Sequence, residues 1–130
     1  MVQDVIDNRT QHIQRSADSA PVVFAFTSGD YIDYKDWHWE SITHLGFWSK
    51  PSDDVRALAK QHNVKLFTDA GVPDKKDWLD KDKVKAFVSK MQDKVKDKNV
   101  DGLFFDFEGT ALSAAEKKGY TALASAVATG

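Results

Sequence analysis

Asp106 and Glu108 are two carboxylates separated by one residue, and they follow the apolar run Gly102-Leu103-Phe104-Phe105. In an extended strand the side-chain period of two places both acids on one face, about 6.5–7 Å apart, together with Phe104. Two carboxylates this close repel each other, which favours general-acid chemistry by one of them. Such a pair suits cleavage of a glycosidic bond, in which an acid protonates the leaving oxygen. The alternative is a pair of acids at a solvent-exposed strand end that binds nothing.

Composition and spacing disfavour other kinds of site. The chain contains no cysteine, which excludes a disulfide scaffold, a thiolate zinc site and a cysteine nucleophile. Its four histidines lack metal-ligand spacing such as HExxH, and no apolar run is followed by a glycine-rich phosphate loop. Asp101 lies at the start of the apolar run, too far from Asp106 and Glu108 to converge with them on a cation. We therefore predict neither a metal nor a cofactor.

Four short apolar runs are predicted strands, and three amphipathic segments are predicted helices. The strands lie at about 22–26, 45–48, 64–68 and 102–108, and the helices at about 53–62, 81–96 and 113–127. The first run has the composition of a strand buried on both faces. Alternating strands and helices are typical of βαβ units, so we predict an α/β fold with a parallel sheet. Active sites of such sheets lie beyond the carboxyl ends of the strands, where Asp106 and Glu108 stand.

Helix boundaries and surface charge follow from local signals. Ser52 and Asp80 are predicted N-caps, and Asn63 is a predicted left-handed residue after the first helix. The lysines of the segment at about 81–96 alternate with acids, which indicates a solvated helix face rather than an anion site.

The length of 130 residues fits one domain, with residues 1–20 as a polar lead-in and 21–130 as the folded unit. Eighteen basic and twenty acidic residues give a net charge of −2, which argues against a nucleic-acid binder. No apolar run is long enough for a membrane span or a signal-peptide core. Taken literally, these features predict a cytoplasmic protein.

Aromatic residues are concentrated between the first two predicted strands and just after the second. Because aromatic rings stack on sugars, some of them could form a carbohydrate platform, while most are expected to pack in the core. Trp48, directly after the second strand, is our candidate for substrate binding. The residues concerned are Tyr31, Tyr34, Trp37, Trp39, Phe47 and Trp48.

The segment Asp101-Gly102-Leu103-Phe104-Phe105-Asp106-Phe107-Glu108 resembles the DGxxxDxE version of the DxxDxDxE signature of glycoside hydrolase family 18. Within that family, the chain is most similar to the di-N-acetylchitobiases. The resemblance covers residues 20–128, roughly. It includes four further segments, which look like the first strand, the short helix, the second strand and the third strand: 22–26, 34–37, 42–45 and 64–67.

This resemblance implies about the first half of a TIM (β/α)₈ barrel that cleaves β-1,4-linked N-acetylglucosamine oligosaccharides. Glu108 matches the acid that protonates the glycosidic oxygen. Asp106 matches the residue that orients the substrate's own N-acetyl group for attack on the anomeric carbon. Asp101 matches the first acid of the signature, in a supporting role. Asp69, after the third strand, is a candidate for the rim of the substrate pocket. The family also implies a lysosomal or extracellular location.

The chain departs from the family pattern in two ways. Phe104 occupies the middle acidic position of the signature, and a phenyl ring cannot hydrogen-bond to Asp106. The eight-stranded fold usually needs roughly 250 residues, so this chain supplies about four βα units. We expect little turnover from 130 residues alone, and either self-association or a missing C-terminal half-barrel. The alternative functions are a non-catalytic carbohydrate-binding or interaction module, or an inactive fragment, derived from the same barrel.

Overall fold

A computed structural model describes residues 21–28, 33–109 and 111–130. The predicted lead-in at 1–20 and Tyr31 lie outside these ranges. The described residues form one four-stranded parallel sheet with its strands in chain order. The strands are β1 (Phe24–Thr27), β2 (His44–Phe47), β3 (Lys65–Asp69) and β4 (Gly102–Phe104). The predicted α/β fold with a parallel sheet is confirmed.

The helices are α1 (Asp53–Gln61), α2 (Lys81–Lys98) and α3 (Ala114–Thr129), and the first two begin where the capping signals predict. The Ser52 hydroxyl accepts a hydrogen bond from the Val55 N–H, and the Asp80 carboxylate accepts from two N–H groups of the first turn of α2. Asn63 has the predicted left-handed backbone, with a φ of 55°. Short 3₁₀ helices cover Tyr34–Asp36, Trp39–Ser41 and Lys75–Asp77.

The two faces of the sheet differ in what covers them. On the outer face, Leu45, Phe47 and Leu66 pack against Val55 of α1 and against Trp39. A second apolar cluster joins the chain around β4 to α2 and α3, and it contains Ala70, Trp78, Phe87, Met91 and Leu123. Every described α-helix contributes side chains to one of these clusters. The opposite, inner face carries aromatic side chains instead.

The strand β1 is not buried on both faces, contrary to the sequence-based expectation. Ala25 packs against the outer cluster, whereas Phe26 is 54% exposed. The aromatic composition of β1 arises because its inner side chains stack on each other and on neighbouring strands: the Phe24 and Phe26 ring centroids are 4.8 Å apart. Ring stacking therefore accounts for a composition that resembles that of a fully buried strand.

The strand β4 ends at Phe104. The sequence-based prediction placed its end four residues later, at Glu108. Its pairing partner β3 ends at Asp69, opposite Phe104, and the Ala70 N–H makes a last hydrogen bond to the Phe104 carbonyl. Gly71 then adopts a φ of 66°, a left-handed conformation that favours glycine and directs the chain away from the sheet. The β4 chain beyond Phe104 consequently has no β3 residue to pair with.

Of the helices in the described ranges, none combines the length and apolar character needed to cross a bilayer.

Candidate functional site

Asp106 and Glu108 directly follow β4, beyond the carboxyl edge of the sheet, and both are exposed. The residues that alternate with them, Phe105 and Phe107, are partly buried against the cluster around Trp78. The side-chain alternation predicted for this segment is thus present on its apolar side, although the segment is not a ladder-bonded strand. The acids lie on the solvent side of a chain that is anchored by its phenylalanines.

Phe104 is buried in the aromatic inner face of the sheet. Its ring centroid lies 5.0 Å from that of Phe26 and 5.2 Å from that of Trp48, in edge-to-face geometry. A Cβ on Gly46 would come within 2.9 Å of the Phe104 ring and 2.8 Å of the Phe26 ring. Glycine at position 46 therefore gives these two rings the space to meet across β2. At the position that the signature gives to an acid, this chain has a packed ring.

Trp48 follows β2 on the same inner face and remains 42% exposed. Its ring contacts Phe26, with centroids 5.8 Å apart, and Phe104. The other aromatic residues of the predicted platform that the structure describes pack on the outer side: Trp39 and Phe47 are buried there, and Tyr34 and Trp37 cover them. Trp48 and Phe26 are thus the exposed rings nearest the carboxyl edge.

Asp69 is the last residue of β3 and lies opposite Phe104 in the register. Its backbone carbonyl accepts a short hydrogen bond from the Lys94 ammonium group. An ideal Cβ on Gly71 would stand 3.8 Å from the Asp69 carboxylate, which places that carboxylate beside the turn after β3. Asp69 is therefore at the same edge of the sheet as the segment with Asp106 and Glu108.

Asp101 lies at the opposite, amino edge of the sheet. Its carboxylate accepts a hydrogen bond of 2.8 Å from the Leu66 N–H, and its own N–H donates to the Leu66 carbonyl at 2.7 Å. These two bonds fix the register in which β4 begins beside β3. These bonds give Asp101 a structural role in the sheet. Of the six candidate residues, Asp101 is the one that the fold separates from the rest.

Two lysines of α2 connect that helix to the carboxyl ends of β2 and β3. Lys98 donates to the Trp48 carbonyl at 3.0 Å and to the buried Thr68 hydroxyl at 3.1 Å. Burial lowers the pKa of Lys98 from its ordinary value, and the nearby Lys94 charge lowers it further. The solvated face predicted for the lysines at about 81–96 does not extend to Lys94, which donates to the Asp69 carbonyl, and Lys98 lies beyond that predicted segment. Their spacing of four along a helix beside the sheet was the available signal.

Tyr120 of α3 is a second residue that the sequence analysis did not connect with the site. Its ring packs beside Phe105 and Phe107, with centroid distances of 6.0 and 5.6 Å. Burial raises the pKa of the Tyr120 hydroxyl, and the charge of Asp106 raises it further. Tyr120 therefore lies within electrostatic reach of the acid segment while it packs against the neighbouring rings.

Within the ranges that the structure describes, no three His, Asp or Glu side chains form a group that could hold a metal ion. The candidate site has carboxylates at the carboxyl edge of the sheet and aromatic rings on its inner face. Such an arrangement provides a proton donor and apolar surfaces on which a sugar ring can stack.

Neither a protein-family model nor a curated protein matches the sequence. One solved structure does match the fold: the chitinase domain of the spore coat protein CotE from Clostridium difficile, with a TM-score of 0.66 and 13% sequence identity. The match covers 88% of this chain and 40% of that chain. At this identity the likeness shows the fold alone. The chain has a chitinase-like α/β fold, in which parallel βα units form about half of a TIM (β/α)₈ barrel.

Proposed function

We propose that this chain is the part of a family 18, di-N-acetylchitobiase-like glycoside hydrolase that carries the catalytic acids. The observation that carries the proposal is the position of Asp106 and Glu108 directly after β4, at the carboxyl edge of a parallel sheet with a chitinase-like fold. The carboxyl edge is where enzymes with parallel βα units have their active sites. The proposed substrates are β-1,4-linked N-acetylglucosamine oligosaccharides, which would be met in a lysosomal or extracellular setting.

In the proposed mechanism the two acids have different roles, proton transfer for Glu108 and orientation of the substrate for Asp106. Glu108 donates its proton to the glycosidic oxygen while the bond to the anomeric carbon breaks. Asp106 orients the substrate's N-acetyl group, whose carbonyl oxygen attacks that carbon and displaces the leaving sugar. The oxazolinium ion that results is positive and is stabilised by the Asp106 carboxylate. Water then opens it, with Glu108 accepting the proton, so that the configuration is retained.

The aromatic inner face supplies the proposed sugar-stacking surface. Trp48 and Phe26 are partly exposed and lie against Phe104, close to the carboxyl edge of the sheet. A pyranose ring presents apolar C–H groups that pack on such rings, which is the basis for Trp48 as a binding residue. Asp69, at the end of β3, would then contribute a polar group at the rim.

The test is release of a fluorophore from an N,N′-diacetylchitobioside by the full-length protein. We expect Glu108→Gln to lower kcat by about a hundredfold or more, since it removes the acid that protonates the leaving oxygen. Glu40→Gln is the matched control, because Glu40 is also exposed and pairs only with His38 among the described residues. Equal rates in wild type and Glu108→Gln would remove Glu108 from the acid role.

A non-catalytic carbohydrate-binding module is the second candidate. The observation that favours it is Phe104, a buried ring where the signature has an acid, beneath the exposed rings of Phe26 and Trp48. Isothermal titration with chitin oligomers separates the two functions. Binding that depends on Trp48, without any release of product, would favour the module over the enzyme, and absence of both would favour an inactive fragment.

A further inference from the structure

The acid segment is held to the fold in an unusual way. Among the described residues, the backbone of 105–109 makes no hydrogen bond, and the last bond between β3 and β4 joins the Ala70 N–H to the Phe104 carbonyl. A strand end that lacks ladder bonds is free to move unless side chains hold it. The position of Asp106 and Glu108 therefore depends on how Phe105 and Phe107 pack.

Of the two phenylalanines, Phe107 has the shorter ring-to-ring distances. Its ring centroid lies 5.3 Å from that of Trp78, in edge-to-face geometry, and 5.6 Å from that of Tyr120. Trp78 is 1% exposed, and its indole N–H donates to the Pro73 carbonyl at 2.8 Å, so it is a fixed surface. The Lys75 ammonium group stands 6.0 Å from the centroid of the Phe107 ring. The ring thus contacts groups from the loop before α2 and from α3.

Gly109 lies against the same ring. An ideal Cβ at position 109 would lie 2.6 Å from Cε1 of Phe107 and closer still to Cζ. The Phe107 ring therefore occupies the space that any side chain at 109 would need. Glu108 stands between these two residues, so the Phe107 ring and the bare Gly109 backbone limit where its Cα can lie.

We propose that Phe107 and Gly109 are positioning residues, which hold the Glu108 carboxylate at the carboxyl edge by packing a ring against a residue without a side chain. This inference rests on the proposed function for its catalytic consequence. Tyr120 supports it, because its burial beside Phe107 and its sensitivity to the Asp106 charge place this packing next to the acids.

The experiment compares Gly109→Ala with a matched control, Gly102→Ala. A Cβ at 102 would lie 2.6 Å from Cε1 of Phe67, so the control creates a similar clash with a phenylalanine ring at the start of β4. A rescue variant combines Gly109→Ala with Phe107→Leu, whose smaller side chain makes room for the added methyl group. Phe107→Leu alone is the second probe should Gly109→Ala fold poorly. All are made in the full-length protein.

Two readouts are needed, one of them independent of turnover. Backbone ¹⁵N NMR order parameters at 105–109 report how firmly the segment is held and do not require hydrogen bonds, and we expect Gly109→Ala to lower them to below about 0.6 while those of β2 and β3 stay as in wild type. With the fluorogenic chitobioside, we expect kcat to fall about tenfold or more at little change in KM, because a small misplacement of a catalytic group costs rate rather than binding. The rescue variant should recover most of both losses.

Order parameters at 105–109 and kcat that match wild type in Gly109→Ala would overturn the proposal. Equal loss of kcat in Gly109→Ala and Gly102→Ala would also overturn it, since the effect would then be a general loss of stability. A wild-type protein without turnover would contradict the proposed function instead. The comparison of order parameters would in that case still decide, by the same criterion, whether Phe107 and Gly109 hold the segment.

Discussion

At the residue scale, the site depends on which side chains the fold leaves exposed. Asp106 and Glu108 are exposed, while Phe104, two residues before Asp106, is packed among Phe26 and Trp48. Sequence spacing alone predicted that the acids lie on one side of their segment and the phenylalanines on the other. It could not show that Phe104 fills the inner face, because that depends on Gly46 in the adjacent strand leaving room for two rings.

The lysines of α2 illustrate a second limit of sequence reasoning at this scale. Interspersed acids correctly indicated a solvated face for most of them. Lys94 and Lys98 instead reach carbonyl groups at the ends of β3 and β2, because side chains on a helix point back towards its N-terminus and so towards the carboxyl edge. Their role depends on how α2 lies across the sheet, which a local pattern does not specify.

Lys98 gives a prediction about pH. Its pKa in the folded protein is lowered, so below its ordinary value of 10.5 the unfolded chain holds this proton more tightly than the folded one. The free energy of unfolding should therefore contain a contribution that rises with pH as the pH approaches 10.5 from below. Urea denaturation between neutral and alkaline pH should show a less positive slope in Lys98→Met than in wild type. Identical slopes in the two proteins would contradict a lowered pKa of Lys98 in the folded state.

At the element scale, caps were easier to predict than strand ends. Ser52, Asp80 and Asn63 each act on backbone groups within a few residues, so the local sequence is enough to predict these helix boundaries. The end of β4 depends instead on where β3 stops and turns at Gly71. The sequence remains apolar beyond the end of β4, up to Phe107, because this segment packs on Trp78 and Tyr120. The segment itself is no longer part of the sheet.

The capping box of α3 provides a prediction at this scale. The Ser113 hydroxyl accepts from the Glu116 N–H, and the Glu116 carboxylate accepts from the Ser113 N–H. Ser113→Ala should lower the free energy of unfolding by about 1 kcal/mol, because it leaves a first-turn N–H without its partner. Ser125→Ala, at an exposed position inside α3, is the control and should change it by less. Equal changes in the two variants would contradict the cap.

The packing between Gly46 and the inner rings is also testable. A Cβ at position 46 would lie 2.8 Å from the Phe26 ring and 2.9 Å from the Phe104 ring. Gly46→Ala should therefore lower the free energy of unfolding by about 1–3 kcal/mol, as expected when a packed site is overfilled. Combining it with Phe26→Leu should recover part of the loss. Thermal denaturation of the single and double variants measures both effects, and a stable Gly46→Ala would contradict this packing.

At the scale of the whole molecule, the four described strands form about half of a barrel, so the inner face of the sheet is left uncovered. Its helices pack on the outer face, while Phe26 and Trp48 remain exposed on the inner one. The alternation of strands and helices was sufficient to predict this architecture, since parallel βα units have few ways to pack. That only half of a barrel is present was predicted by comparing the length of the chain with that of the complete barrel, and no local sequence pattern indicated it.

Exposure of the inner face predicts association of the 130-residue chain in isolation. Phe26→Ser removes the most exposed inner ring and should shift the sedimentation-velocity distribution towards monomer at a given concentration. Leu79→Ser is the matched control, because Leu79 is 59% exposed but packs beside Gly119 on the helical side. Association that is equally reduced by both variants, or by neither, would contradict a role for the inner face.

The central claim is that the carboxyl-edge acids act on a sugar whose own acetamido group takes part in the reaction. The most direct measurement compares two substrates with the same fluorophore, an N,N′-diacetylchitobioside and a cellobioside, in the full-length protein. They differ in having an N-acetyl group or a hydroxyl at the 2-position, so only the first can form an oxazolinium ion. We predict Glu108-dependent turnover of the chitobioside and none of the cellobioside. Equal turnover of both substrates, or chitobioside cleavage that survives Glu108→Gln, would contradict the account.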